Sequence, residues 1–316
     1  MVNQLAGPAS LVLSASVARR YYLDGRSKVE IAEEFGLSRF KVDRLIDVAR
    51  ASGLVRIEIA HKGLVDVDLS ARVQSRFGLR HTVVVDTQDD RDESVRKQLG
   101  QVAAELLAEV IEPDDVLGVA WSRSVGAMAK ALPRLAAVPV VQLTGAISMP
   151  DGDESAIDIV RDVARAAGGP AYVFYAPFLL PDAATARALR RQREVAVAFD
   201  QLSRVTRAVV GVGLWAPGKS TLYDAATEQD RKALRRLGVC AEVSGVFLSA
   251  EGEPVPAPLT EKMIGVDATQ MRAIPEVIVI AYGAAKVPAA HAVLRSGLVS
   301  GLVTHTSFAQ ALLDGS

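Results

Sequence analysis

The sequence predicts an α/β protein in two parts: an all-α helix-turn-helix domain over residues 1–60, then an α/β domain built on a parallel sheet over residues 61–316. Three observations lead there. From about Val83 onward, short apolar runs alternate with helical stretches. Continuous apolar strands between helices argue for a parallel sheet covered on both faces. Before that point, Ser27 to Gly53 shows helical periodicity around a glycine turn. Finally, 316 residues, 50% of them hydrophobic, are enough for two domains on a prior of roughly 100–200 residues each.

Residues 1–8 carry no pattern and are expected to be disordered, and Ser10 to Leu23 reads as a first helix. Ser27 and Glu30 then form an S-x-x-E capping box that starts the next helix. Ile31, Ala32 and Phe35 give it one apolar face, and Gly36 supplies the left-handed residue that ends it. Ser38 is the N-cap of the following helix. There Val42, Leu45, Ile46 and Ala49 face inward, while Phe40, Arg44 and Asp47 face outward, with Arg39 and Lys41 on the flanks. A short helix packed on another, with basic groups outside, suits the major groove of DNA. An ordinary helical hairpin with a solvated charged face has the same pattern.

Leu54 to Ala60 alternates as a short strand, either a wing or the start of the next domain. His61 to Leu64 is the expected linker, and Val67 to Phe77 the next helix. Strand–helix pairs follow: Val83–Val85 with Ser94–Ile111, Val116–Ala120 with Val125–Leu135, Val138–Leu143 with Ala156–Ala167, Ala171–Tyr175 with Ala183–Leu202, and Ala208–Val212 with Glu228–Leu237. Val243–Leu248, Val277–Ala281 and Leu302–Thr304 are further strands, and Ala285–Leu294 and Phe308–Leu313 further helices.

In such sheets ligands bind at the carboxyl ends of strands, and five polar clusters fall there. Ser122, Arg123 and Ser124 follow one strand and open a helix, a group suited to an anion or equally to capping and a surface arginine. Gln142, Thr144 and Gly145 end another strand, where the amide and hydroxyl could meet sugar hydroxyls or the glycine could simply turn the chain. Gly213, in a G-x-G run, permits close backbone approach. Glu242 begins an apolar strand, set to hold ligand hydroxyls or to face solvent. Lys286 lies in the first turn of a helix, where it opposes the dipole unless an anionic ligand is present.

Composition narrows the classes. The net charge is −1, but residues 1–60 hold nine Lys/Arg against seven Asp/Glu, so the basic excess sits on the helical unit. The single cysteine, Cys240, permits no intrachain disulfide, fits a reducing cytoplasm, and sits in an apolar run that predicts burial. No apolar run approaches the ~18 residues of a membrane span, and Ala9–Ala18 lacks the positive flank of a signal peptide. Cys240 and the four histidines show no zinc spacing, and no repeat or low-complexity tract is present.

The wording of Tyr21–Ile57 resembles the N-terminal domain of the SorC/DeoR-type family of bacterial sugar-responsive transcription regulators. The matching landmarks are Tyr21-Tyr22, Glu30-Ile31-Ala32, Ser38-Arg39 with Val42, Arg44-Leu45, and Ala49-Arg50. The segments LGVAWSRSVGAMAKAL, VVQLTGA, YAPFLL, AVVGVGLW, AEVSGVFLSAEGEPV and IPEVIVIAYGAAKVPAAHAVLRSGLVSGLVT resemble successive parts of the same family's effector domain. The resemblance implies a Rossmann-like α/β effector domain whose sheet is related to sugar-phosphate isomerases and CoA transferases. It implies an effector pocket lined by Ser122, Arg123, Ser124, Gln142, Glu242 and Lys286, and homo-oligomers, dimers or tetramers. His305 stands where relatives often carry aspartate, Ser122-Arg123-Ser124 where they often carry Gly-x-Thr, and Lys28 where many carry glutamine.

The expectation is therefore a cytoplasmic, non-enzymatic regulator of carbohydrate or polyol metabolism, with no cofactor, no metal and no membrane partner. Double-stranded operator DNA meets Lys28, Ser38, Arg39, Phe40, Lys41 and Arg44. A sugar, polyol or sugar phosphate meets the strand-end residues, Thr144, Gly145 and Gly213 included. A sugar-phosphate isomerase-like enzyme, with Glu242 or Lys286 as acid–base group, is the alternative.

Overall fold

The computed structural model describes residues 7–55, 64–87, 91–147 and 155–315. The chain divides into two compact units, Met1–Ala60 and His61–Ser316.

In the first unit, α1 (Pro8–Tyr22), α2 (Lys28–Phe35) and α3 (Arg39–Ala51) follow one another. Pro8 opens α1, so the expected disorder does not extend to it; residues 1–6 lie outside the described residues. The capping box of Ser27 and Glu30 forms as its spacing requires, and Gly36 ends α2 at φ 62°, in the left-handed region. Ser38 Oγ accepts the Lys41 N–H at 3.2 Å and caps α3. Val17, Ile31, Ala32, Val42 and Ile46 are buried together, and this small core holds the three helices. The expected strand Leu54–Ala60 and the linker His61–Leu64 fall largely outside the described residues.

The second unit opens with α4 (Val67–Phe77), β1 (His81–Val85) and α5 (Asp92–Val110). Then come β2 (Leu117–Val119), α6 (Arg123–Ala131), β3 (Val140–Gln142), α7 (Ala156–Ala167) and β4 (Ala171–Tyr172). The helix α6 stops at Ala131 rather than Leu135, because Pro133 disfavours helical backbone at the residue before it. The run read as one helix over Ala183–Leu202 is two, α8 (Ala183–Arg190) and α9 (Arg193–Asp200), broken where Gln192 is extended. No apolar residue lies between Leu189 and Val195, so no buried contact fastens a continuous helix across that stretch.

Next are β5 (Arg207–Gly211), β6 (Gly213–Leu214), α10 (Thr221–Ala225), α11 (Glu228–Arg236), β7 (Ala241–Val243) and β8 (Val246–Leu248). The expected strand Val243–Leu248 is instead the tip and second arm of a hairpin, turned by Ser244 and Gly245, both at positive φ. The chain ends with α12 (Ala268–Ala273), β9 (Glu276–Ile280), α13 (Val287–Arg295), β10 (Gly301–His305) and α14 (Thr306–Asp314).

Seven strands form one sheet in the order β1-β10-β9-β5-β2-β3-β4, parallel throughout. Its strands bury alternate side chains on opposite faces. In β9, Val277 and Val279 join a core shared with α4, α13 and α14, while Ile278 and Ile280 join one shared with α5, α6 and α7. Burial on both faces explains the unbroken apolar runs. The chain leaves β2 toward β3 and β4, and leaves β5 the other way, toward β9 and β10. The adjacent carboxyl ends of β2 and β5 are thus the switch point where open parallel sheets bind ligands. An antiparallel sheet, β6-β7-β8, follows β5 directly.

At the amino ends, Arg207 donates to Asp115 Oδ2 at 2.6 Å and pairs with Glu276, which is 3% exposed. His81 Nε2 lies 3.0 Å from the same glutamate. This network ties β5 to β9 and to the entry of β2.

Candidate functional site

A cavity of about 140 Å³ opens at the carboxyl ends of β2, β3, β5 and β9. Eight of the nine residues expected there line it: Ser122, Arg123, Ser124, Thr144, Gly145, Gly213, Glu242 and Lys286. They come from the ends of β2, β3 and β9 and from the small sheet, so only the fold assembles them.

Ser122 caps α6, its Oγ accepting the Val125 N–H at 3.1 Å and lying 3.1 Å from Ser124 Oγ. Gly211, one strand over, leaves room for it: a Cβ there would sit 2.6 Å from Ser122 Cβ. Arg123 is exposed at the rim. Thr144 Oγ1 accepts the Trp121 N–H at 3.4 Å. Gly145 packs on backbone, since an added Cβ would meet Phe178 Cα at 2.6 Å.

Glu242 is held from two sides. Its Oε1 accepts from Ser220 Oγ at 2.9 Å and its Oε2 from the Gly245 N–H at 3.2 Å. Burial pushes its carboxyl up from the ordinary glutamate range, against these hydrogen bonds and the charge of Lys286. Lys286 donates to the Val212 carbonyl at 3.0 Å, and its Nζ lies 5.7 Å from the Tyr282 ring centre. Burial pulls its ammonium down from the ordinary lysine value, and the charges of Arg123 and Lys219 act in the same direction, while Glu242 and Asp92 oppose them. The site thus sets acceptors at Glu242 beside cations at Lys286, Lys219 and Arg123. Such a set can hold hydroxyls and an anionic group on one small ligand.

Gln142 is corrected. It is fully buried and does not line the cavity. Its Nε2 donates to the Thr144 carbonyl at 2.8 Å, and its Oε1 accepts the Phe174 N–H at 3.1 Å. Both ends of the amide are spent: one on the turn that follows β3, the other joining β3 to the segment after β4. Cys240 is half-buried, not fully buried as expected, and burial pushes its thiol up.

Lys219, Ser220, Tyr282 and Ser244 also line the cavity, beyond the nine residues expected to bind the effector. One signal for the first two was available: Gly213 to Ser220 has the G-x-x-x-x-G-K-S spacing of a phosphate-binding loop. The backbone does not form that cradle. The Trp215 N–H donates to Cys240 O at 2.8 Å, Lys219 to Ala216 O at 3.1 Å, and Gly218 to Asp224 Oδ1 at 3.0 Å. Those three N–H groups are spent and cannot hold phosphate, whereas Lys219 and Ser220 line the cavity.

In the helical unit, Ser38, Arg39, Phe40, Lys41 and Arg44 are all exposed on α3 or its cap, with Phe40 87% exposed. Lys28 differs: it is half-buried, pairs with Asp43 of α3, and lies over the Tyr21 ring. It braces α2 on α3 and is less free for phosphate than the α3 cations. Among the described residues no group of His, Cys, Asp and Glu is placed to hold a metal ion, and no helix is long and apolar enough to cross a membrane.

Residues 63–314 match the Sugar-bind family, a sugar-binding domain. Over 302 residues the chain is 28% identical to the uncharacterized transcriptional regulator YjhU of Escherichia coli K12, covering 93% of this chain and 92% of that protein. It is 28% identical over 307 residues to the erythritol catabolism regulatory protein EryD of Brucella abortus, covering 95% and 96%. Its fold is similar to that of the full-length sorbitol operon regulator SorC from Klebsiella pneumoniae, with a TM-score of 0.73 at 22% identity over 97% of this chain and 100% of that one.

Proposed function

The chain belongs to the Sugar-bind family through residues 63–314, and from that premise we propose that it is a DNA-binding transcription regulator of carbohydrate or polyol metabolism, controlled by a small effector. The observation that carries the reading is the convergence of Ser122, Arg123, Ser124, Glu242 and Lys286 on one cavity at the sheet's switch point. Relatives spanning nearly the whole chain are named transcriptional regulators or, for EryD, a catabolism regulatory protein, which supports regulation over catalysis by this fold.

The effector is a sugar, polyol or, best fitting the cations, a sugar phosphate. Glu242 takes its hydroxyls, and Arg123, Lys219 and Lys286 take its anionic group. In the cytoplasm the helix α3 enters the major groove, with Arg44 and Phe40 at base edges and Arg39 and Lys41 on phosphates. A homodimer or tetramer presents paired helices to paired half-sites. Effector binding changes how subunits pack, and so the spacing of those helices. Its leverage equals its differential affinity for the two states.

The test is fluorescence anisotropy with the DNA immediately upstream of the protein's own gene, across a salt series. Wild type binds tightly and salt-sensitively. Arg44→Ala weakens binding to that DNA by about 1–3 kcal/mol and relaxes sequence preference, while Lys41→Ala lowers the salt slope by about one. Absence of sequence-preferring binding at every salt concentration contradicts the reading.

A further inference from the structure

The hairpin that carries Glu242 turns through Ser244 and Gly245, the two residues between paired Val243 and Val246. Their φ angles are 51° and 86°, the signature of a type I′ turn, whose first position favours Asn, Asp or Gly. Among the described residues Ser244 alone takes positive φ without being glycine. Its Cβ is crowded there in a way glycine would avoid. The hydroxyl brings no local compensation. Ser244 Oγ is shielded from bulk solvent and has no hydrogen-bond partner, a second cost.

Both costs fall on a residue lining the cavity, two positions from Glu242. The turn is also fastened to that carboxylate, because Gly245 N–H donates to Glu242 Oε2 at 3.2 Å. Backbone strain with an unmet polar group at a ligand site points to function. We propose that Ser244 is a specificity-determining contact: its hydroxyl hydrogen-bonds a hydroxyl of the bound sugar or polyol, alongside Glu242. A hydroxyl is the group that fits, since it can donate to the carboxylate while bonding the serine, whereas an anion beside Glu242 meets like charge. One torsion separates the staggered positions of a serine hydroxyl, so the ligand is met by a single rotamer change. The inference rests on the cavity being the effector site.

Two measurements separate this role from a purely structural one: the melting temperature without ligand, and calorimetric titration with erythrose 4-phosphate, ribose 5-phosphate, glucose 6-phosphate and glycerol 3-phosphate. Ser244→Gly raises the melting temperature by relieving the turn, yet weakens the best-bound probe about five- to tenfold, the size of one lost hydrogen bond. Ser244→Ala, which keeps the Cβ and lacks the hydroxyl, weakens it equally. If both variants bind that probe as wild type does, or if Ser244→Gly lowers the melting temperature together with affinity, the proposal is overturned and the site reading stands. If wild type binds none of the probes, or binds one with an affinity that Glu242→Gln leaves unchanged, the site reading fails and takes the proposal with it.

Discussion

A Cβ placed on Gly213 would lie 2.1 Å from Glu242 Oε1 and 2.8 Å from Ser220 Cβ. The paired strands β6 and β7 bring these two residues directly opposite each other. The carboxylate occupies the space that a side chain at 213 would fill, and the bond from Ser220 keeps it there. Position 213 therefore sets where the cavity's central acceptor stands.

Gly213→Ala is expected to displace Glu242 and lower effector affinity at least tenfold on the usual scale of a displaced charged hydrogen-bonding group. Binding to DNA without effector should be unchanged, because the helical unit has its own core. Titration calorimetry and anisotropy on one preparation read both.

The raised carboxyl of Glu242 gives a signed pH effect. Folded, the group holds its proton at pH values where the unfolded chain has already lost it. Stability contributed by this group therefore falls as pH rises from the ordinary glutamate range through the raised value, and is level above it. Glu242→Gln cannot titrate, so the difference in unfolding free energy between variant and wild type should grow across that interval in the variant's favour. Urea melts between pH 4 and 8 measure it.

At the other end of the sheet, Arg207 holds two carboxylates, Asp115 and the almost fully buried Glu276. Thr206, the Glu112 N–H and Arg207 keep the Asp115 carboxyl below its usual range despite burial. Arg207→Ala leaves the buried Glu276 without its arginine, with His81 beside it, and is expected to cost about 3–5 kcal/mol, the range for breaking a buried pair. Chemical denaturation of variant and wild type at pH 7 gives the comparison.

The sequence disclosed most of the fold because both faces of the main sheet are buried. Strands such as Glu276–Ile280 then read as unbroken apolar runs, and helix starts such as Ser27, Ser38 and Ser122 carry capping side chains. It did not disclose the hairpin at Ser244-Gly245, because a two-residue turn inside an apolar run leaves the run's composition intact. Gln142 misled for a different reason. Its partner Phe174 lies 32 residues on, and no local pattern shows that a strand-end amide will be spent on such a bond. Lys219 escaped notice because a loop has no periodicity to mark which side chain faces inward, and its phosphate-loop spacing points to a backbone cradle that the hydrogen bonds exclude.

The central claim is that effector binding at Glu242 and Lys286 and DNA binding at α3 are coupled. The most direct measurement is the affinity of wild type for its best-bound sugar phosphate, taken once with the protein free and once saturated with its upstream DNA. Coupling predicts two different dissociation constants, separated by about 5- to 150-fold, and the same factor in DNA affinity with and without the sugar phosphate. Equal effector affinity in the two conditions would contradict the account, since a ligand that does not distinguish the states cannot shift them.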